Sequence, residues 1–539
     1  MLVQSVNYVT TLNTLAARPG LKRSDHAVGG GASTPRKTSP ACRGGGPASK
    51  TVVGYVSILY NYQQTGKESF DMNWEELLTT QRLKVVEKEP KEFEDYPINE
   101  FERDYNRIVA SPVFRRLQDK TQVFPLDKSD FVRTRLTHSI EVSTVARQLG
   151  LMISKNNTKF KRKEVEEYAE EISSVLQCAG LLHDLGNPPF GHFGETTIGD
   201  WFKNNLKNYT YNGRTIDTIL SDQMKSDLEH FEGNAQALRI LLKAKHGAEI
   251  NISYSIISTL VKYPVNSISF DKEASDIREH KLGYYHAEQE LFQEISDTVG
   301  TRSKKGKIFR HPLTFLLEAA DDIAYSTADL EDAFKKKLFS LDDLEKYWKE
   351  KYTNKEETDS SYVEKYIKEL QKRRNNIGND EKALGEWLNY TRRWLMYCAV
   401  YSFSINYNDI MDGKYKKDLF KDTNVSEVIK MLKDAMKEFV FCDSSILKLE
   451  LSSQTIISFL LDKFIHAAIY FECEEDKLTK ADQKLLSIFS ENYKNDYYNQ
   501  KTGDEQVDLY LRLLMVTDYI SGMTDTFART LYRELCGIE

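Results

Sequence analysis

The sequence is poor in cysteine and proline and has no long apolar run. Its six cysteines, Cys42, Cys178, Cys398, Cys442, Cys473 and Cys536, form no CxxC pair, which leaves no zinc ribbon or dithiol redox motif and suits buried thiols in a reducing, cytoplasmic setting. No stretch approaches the ~18 apolar residues of a membrane-spanning helix, and mean hydropathy is −0.53. No repeat of fixed period is present, which argues against a solenoid. Positive charge is not in excess either: 74 Lys and Arg face 81 Asp and Glu in 539 residues, a net −7. A generic polycation holding nucleic acid by bulk charge is therefore excluded. The opening MLVQSVNYVTTLNTLAARPG lacks the charged start and unbroken apolar stretch of a secretory signal.

What charge there is lies unevenly. Residues 1–71 hold eight basic and three acidic side chains, so the rest of the chain carries −12. The first 51 residues contain four of the twelve prolines and two GlyGlyGly runs, the composition of a disordered or non-native leader. A single helical body is expected over 72–539, with a core near 103–336, a C-terminal helical part near 337–539, and Met72 opening the folded region.

Apolar residues recur at three- and four-residue steps in 138–155, 164–186, 233–245, 314–336 and 454–472, so the fold is expected to be mostly α. Short β-hairpins are expected only near 261–286 and 300–310, and ISYSIIS (252–258) fits strand or helix. The Lys- and Glu-rich run 349–385 reads as a solvated helical excursion.

Three windows place metal-capable side chains at element edges or in apolar helices. AGLLHDLGNPPFGHFGE (179–195) brings His183 and Asp184 to a helix end stopped by Gly186, Asn187 and the Pro188-Pro189 pair. RTRLTHSIEV (133–142) puts His138 at a helix start behind Arg133 and Arg135. LLEAADDIAYSTADLEDAF (316–334) sets the adjacent carboxylates Asp321 and Asp322 inside an apolar helix, where a charge needs a partner. Two imidazoles with Asp184 and one of the Asp pair suit a divalent metal such as Mn²⁺, Fe²⁺, Co²⁺, Ni²⁺ or Zn²⁺. Downstream, His192 and Glu195 are three residues apart and share a face if a helix follows the turn. An imidazole beside a carboxylate is a common arrangement for proton transfer. Tyr325 and Asp329 lie one and two turns beyond Asp321 on the same face.

His138, His183-Asp184 and Asp321 resemble the H…HD…D signature of the HD-domain metal-dependent phosphohydrolases. The windows 103–126, 133–142, 181–195, 230–241, 318–334 and 518–528 are similar, in order and nearly word for word, to the bacterial deoxyguanosine triphosphate triphosphohydrolases. The match runs from about residue 72 to 535, with the leader and parts of 340–450 outside it. The resemblance implies a large helical HD-domain fold and a divalent metal cofactor, Mn²⁺ or Mg²⁺, with Co²⁺, Ni²⁺, Fe²⁺ or Zn²⁺ as alternatives. It implies His138, His183, Asp184 and Asp321 as ligands, with Asp322 as second choice, and His192 with Glu195 as the catalytic pair. It places Arg135, Lys262 and Tyr263 (in TLVKYP) at phosphate, Tyr325 and Asp329 at deoxyribose, and Gln122 and Val123 (in KTQVF) along the sugar. The implied reaction is hydrolysis of dGTP, or of dNTPs more widely, to deoxynucleoside and tripolyphosphate, contributing to dNTP pool control. A homo-oligomer, often a hexamer in the family, and a single-stranded DNA effector are also implied. The basic runs 302–307, 334–337 and 371–374 are candidates for that effector. Two rivals remain: an HD-type nucleotide phosphodiesterase or nucleotidase acting on another ester, and a nucleotide-sensing or DNA-binding module without turnover. The His192/Glu195 pair argues against the silent module, which would need a pocket but no proton-transfer residues.

Overall fold

The computed structural model describes residues 70–84, 98–126, 129–156, 160–243, 250–352, 360–473 and 475–538. All but the last two residues of the expected leader fall outside these. Residues 68–539 form one compact unit, and Met72 is already buried in it, its amide donating to Met411 O.

The described residues are helical apart from turns and one two-stranded ribbon. Helix α1 (Arg135–Ser154) starts at Thr134, whose hydroxyl accepts from Thr137 N while the Thr137 side chain answers the Thr134 amide. This reciprocal cap satisfies donors that would otherwise be orphaned at a helix start. Helix α2 (Ala169–Leu182) runs beside it and ends at His183. Next come α3 (Gly191–Asn205), α4 (Gly233–Leu242) and α5 (Tyr254–Leu260). Pro312 opens α6 (Pro312–Lys335), where its missing N–H costs nothing. The later helices include α7 (Asp380–Ile405), α8 (Ser444–Ile469), α9 (Glu491–Gln500), α10 (Glu505–Ser521) and α11 (Asp525–Cys536).

Two apolar cores hold these helices. The larger joins α1, α2, α5, α6 and α7 through residues such as Val142, Ala146, Val175, Ala179, Leu316 and Ala399. The other packs α3 against α8, α10 and α11 through Ile198, Phe202, Leu460, Phe464, Leu513 and Val516. Segment 190–231 therefore meets 456–531, and the loop between α2 and α3 lies where the cores adjoin. Glycine sets the α1–α2 spacing: a Cβ on Gly180 would stand 2.5 Å from Ser143 Cα, and one on Gly150 would stand 2.9 Å from Ser173 Cα. No side chain fits at those separations.

Several expectations need correction. The ribbon, β1 (Thr210–Tyr211) with β2 (Arg214–Thr215), lies outside both expected hairpin regions. Its turn is Asn212-Gly213, both at positive φ (50° and 73°), a short-range hairpin signal that the long apolar patterns overshadowed. Residues 261–286 instead form turns closed by contacts such as Asp271 N to Glu279 O and Gly283 N to Val265 O. Within 300–310 only an isolated bridge, Arg302 with Ile308, remains. ISYSIIS, open between strand and helix, belongs largely to helix α5. The described parts of the 349–385 run, 349–352 and 360–385, are largely helical but not simply solvated, since Val363, Tyr366, Ile367, Leu370 and Leu384 are buried in the larger core. Of the five described cysteines only Cys178 is buried. Among the described residues no helix is long and apolar enough to cross a membrane.

Candidate functional site

Helices α1, α2 and α6 converge on a cluster of imidazoles and carboxylates. His138, one turn into α1, is buried and places Nε2 3.4 Å from Asp321 Oδ1. His183 closes α2 and is also buried; its Nδ1 donates to Gly180 O at 2.9 Å. Only a donor can meet that carbonyl, so Nε2 carries the lone pair, and this buried atom has no hydrogen-bond partner. Burial lowers the His183 pKa, favouring the neutral ring. His183 Nε2 lies 3.5 Å from both Asp184 Oδ2 and Asp321 Oδ1. One ligand atom each from His138, His183 and Asp184 lie within 4.8 Å of one another, and Asp321 meets both imidazoles.

Each carboxylate is fixed by a cation. Asp184 Oδ2 accepts from Arg135 Nη1 at 2.6 Å, and Oδ1 from Asn187 Nδ2 at 2.5 Å. Burial alone would raise the Asp184 carboxyl, but Arg135 and the imidazoles outweigh it and hold the pKa at about 2. Asp321 Oδ2 accepts from Lys262 Nζ at 2.9 Å. Its burial is likewise overcome, chiefly by Lys262 and His183, and it stays well below the ordinary carboxylate range. In return Asp321 and Glu318 outweigh the burial of Lys262 and keep it charged. Asp322 instead pairs with Lys433 at 2.6 Å, so the two neighbours serve different surroundings. An orphaned buried nitrogen, two ionised carboxylates and a second imidazole together fit a divalent cation.

The loop leaving this cluster turns sharply at Phe190 and Gly191, both left-handed (φ 63° and 65°). Asp525 stabilises the turn by accepting from Phe190 N at 2.8 Å. A Cβ on Gly191 would stand 2.9 Å from Arg135 Nη2, so the start of α3 abuts the cluster. There His192 Nδ1 meets Glu195 Oε2 at 2.6 Å. Its side chain is 80% exposed, whereas Glu195 is 7% exposed and also accepts from Gly233 N at 3.0 Å. The Glu195 hydrogen bond outweighs desolvation and raises the His192 pKa. Nε2 is the ring atom left for a ligand. Among the described residues no hydrogen bond or ion pair joins this dyad directly to the His138–Asp321 cluster.

The remaining sequence-chosen residues lie around the same helices. Asp329 on α6 is buried with both oxygens unpartnered, and burial pushes its pKa up to about 8 although His138 opposes this. Tyr325, one turn away, has its phenol pKa raised, first by burial and then by Asp329. Thr121 bridges to Thr134, and Lys120 O accepts from Arg135 N at 3.0 Å, which lays Gln122 and Val123 beside the start of α1. Gln122 Oε1 is buried and unpartnered, whereas Val123 packs on the larger core. The Tyr263 ring lies 5.9 Å from the Arg310 guanidinium, and burial raises its pKa.

Sequence reasoning passed over several supporting groups. Asn187 was read only as a helix stop, yet its amide orients Asp184. Glu232 and Lys281 form a 2.8 Å ion pair whose charges act on Glu195 and His192. A Cβ on Gly233, the residue after Glu232, would lie 2.5 Å from Glu195 Oε1, so any side chain there would push that carboxylate aside. All three basic runs are engaged locally: Arg302 with Asp297, Lys307 with Glu279, Lys335 with Glu331, Arg373 with Glu369, and Arg374 with Asp342 and Asp380.

A family model described as the HD domain matches residues 135–257. A deoxyguanosinetriphosphate triphosphohydrolase-like protein of Listeria innocua is 40% identical over 477 residues, covering 87% of this chain and 100% of that protein. A protein of the same description from Synechocystis is 34% identical over 478 residues, with coverage of 87% and 100%. A deoxyguanosinetriphosphate triphosphohydrolase of Yersinia enterocolitica is 30% identical over 483 residues, with coverage of 81% and 94%.

Proposed function

Because the chain belongs to the deoxyguanosinetriphosphate triphosphohydrolase family, and is thus a phosphohydrolase, we propose that it hydrolyses dGTP at the α-phosphorus to deoxyguanosine and tripolyphosphate. Other dNTPs are candidate substrates, and control of dNTP pools is the cellular role. The observation that carries this reading is the cluster of His138, His183, Asp184 and Asp321, with its orphaned imidazole nitrogen and two ionised carboxylates.

Those four residues would hold the divalent cation, with Mn²⁺ or Mg²⁺ the first candidates. A cation bound there supplies a Lewis acid for an α-phosphate oxygen and lowers the pKa of water. The chain's own groups do the rest. Arg135 and Lys262 hold Asp184 and Asp321 as carboxylates and bring positive charge to the tetra-anionic substrate. Tyr263 adds a phenol beside Lys262 for a phosphate oxygen. Asp329, Tyr325, Gln122 and Val123 form the deoxyribose wall, where the unpartnered Asp329 oxygens can receive a sugar hydroxyl. The Glu195 carboxylate accepts Nδ1–H of His192 and raises its pKa, which favours the charged ring whose Nε2–H can pass to the departing 5′-oxygen. The P–O5′ bond breaks as water oxygen joins phosphorus, the nucleoside leaves with a neutral hydroxyl, and the proton shed by water passes to solvent, from which the exposed His192 is reprotonated.

A homo-oligomer belongs to the same reading. Trp394, Tyr397, Tyr401 and Ile405 are exposed along α7, an apolar stripe of the kind an assembly would cover. A single-stranded DNA effector stays part of the proposal. The test is His192→Ala in a turnover assay with dGTP, the other dNTPs and GTP, alongside Mn²⁺ binding. Turnover should fall about 10²–10⁴-fold with Mn²⁺ binding retained. Unchanged turnover with Mn²⁺ still bound would defeat the assignment.

A further inference from the structure

A cavity of about 610 Å³ borders the segment that follows His183 and Asp184. None of His138, His183, Asp184, Asp321, His192 or Glu195 lines it. Its wall includes Leu185, the residue after Asp184, and it reaches across to α4, α9 and the turn between α10 and α11. Tyr493, Tyr519 and Phe527 make much of the surface aromatic.

The polar groups in this wall are not all satisfied. Lys243 is paired twice, with Asp518 at 2.8 Å and Asp496 at 3.1 Å. Lys120 differs: it is buried, and among the described residues it forms no ion pair. Its Nζ donates to Asn187 O at 2.6 Å and Ser521 O at 2.7 Å. An ammonium has three donors, so one remains for a further acceptor. Gln236 is fully buried; its Nε2 is bound to Asp518 at 2.8 Å, while its Oε1 has no partner. Burial, with Arg135 nearby, lowers the Lys120 pKa to about 7 although Asp525 opposes this, so a bound anion would favour the charged amine. The cavity thus offers an aromatic wall, a spare donor on that buried amine, and a spare acceptor.

We propose that this cavity binds a small organic anion with a flat apolar body and one hydrogen-bond donor, the anionic group on Lys120 and the donor on Gln236 Oε1. Lys120 also ties the Asn187 carbonyl to the end of α10, so a ligand on its third donor pins that tie and stiffens loop 183–191. Binding and stiffening are independent of the activity proposed above; only their consequence for turnover rests on it.

The probe is 1-anilinonaphthalene-8-sulfonate, which has the aromatic body, an N–H and a sulfonate, titrated by fluorescence into the full chain. N-phenyl-1-naphthylamine, which lacks only the sulfonate, is the comparison. The expected result is one saturable site, weakened about tenfold or more for the neutral probe. Asn495→Trp, at an exposed rim position, should weaken the sulfonate probe similarly without touching the His/Asp cluster. Amide exchange over 183–191 should slow when the sulfonate probe is bound and stay unchanged in Asn495→Trp. Equal affinity for the two probes, equal binding by the variant, one-for-one displacement by dGTP, or unchanged exchange over 183–191 would each overturn the proposal.

Discussion

Replacing Gly180 by alanine strikes the contact that sets the geometry of the cluster. The added Cβ would lie 2.5 Å from Ser143 Cα and 2.7 Å from Ser143 N, both backbone atoms that cannot swing aside. Carbon atoms pack at about 3.5–4.0 Å, so α1 and α2 would have to part by roughly 1 Å. Overpacking of this kind costs about 1–3 kcal/mol, offset by up to ~1 kcal/mol because alanine is the better helix former. Gly385, on α7, provides the internal control, because nothing lies within 4 Å of its added Cβ. Gly385→Ala should therefore stabilise by up to ~1 kcal/mol. The two helices that Gly180 holds together carry His138 and His183, and the Gly180 carbonyl also fixes the His183 tautomer. Ligand distances tolerate only about 0.2 Å, so Gly180→Ala should also weaken Mn²⁺ binding, by about 10–100-fold. Calorimetric unfolding and Mn²⁺ titration measure both effects. A Gly180→Ala protein as stable as the parent and equal in Mn²⁺ affinity would refute the reasoning.

Three further outcomes are expected. In Glu195→Gln the His192 pKa falls, so the high-pH limb of kcat/KM moves to lower pH; a limb that stays in place would exclude His192 as the proton donor. Asp518 is held far below the carboxylate range by Arg239 and Lys243 despite its burial; its stabilising contribution is therefore present above the unfolded pKa and lost as pH falls through the lower folded value. Asp518→Asn should cost about 3–5 kcal/mol near neutral pH by leaving buried cations unpaired, as urea unfolding would show, and an unchanged midpoint would contradict it. Added Mn²⁺ should raise Tm progressively with concentration, by about 2.7 kcal/mol of stability at a hundred times its Kd. The same titration of His183→Ala should show little of that rise.

The helical class and the cluster were both legible in the chain because their signals are local. Apolar periodicity marks α1, α2 and α6, and the Gly186–Pro189 stop places His183 and Asp184 at an edge. Spacing alone could not choose between Asp321 and Asp322, since adjacent residues differ only in which neighbour they meet. That choice depends on Lys262 and Lys433, far apart in sequence, and the structure pairs one with each. Asn187, Lys120 and Glu232 escaped notice for the same reason: their partners are backbone carbonyls or side chains brought by folding. The Asn212-Gly213 turn was readable, but two-residue strands leave too little alternation to draw attention. The net charge proved least informative, because the acidic body gathers Arg135, Lys262 and Lys281 around one site.

The most direct test is hydrolysis of dGTP in ¹⁸O-labelled water with Mn²⁺, the products being resolved by mass. Attack at the α-phosphorus with departure of the 5′-oxygen gives unlabelled deoxyguanosine and tripolyphosphate carrying one ¹⁸O. Orthophosphate or pyrophosphate as the first product, or label in the nucleoside, would contradict the proposed reaction.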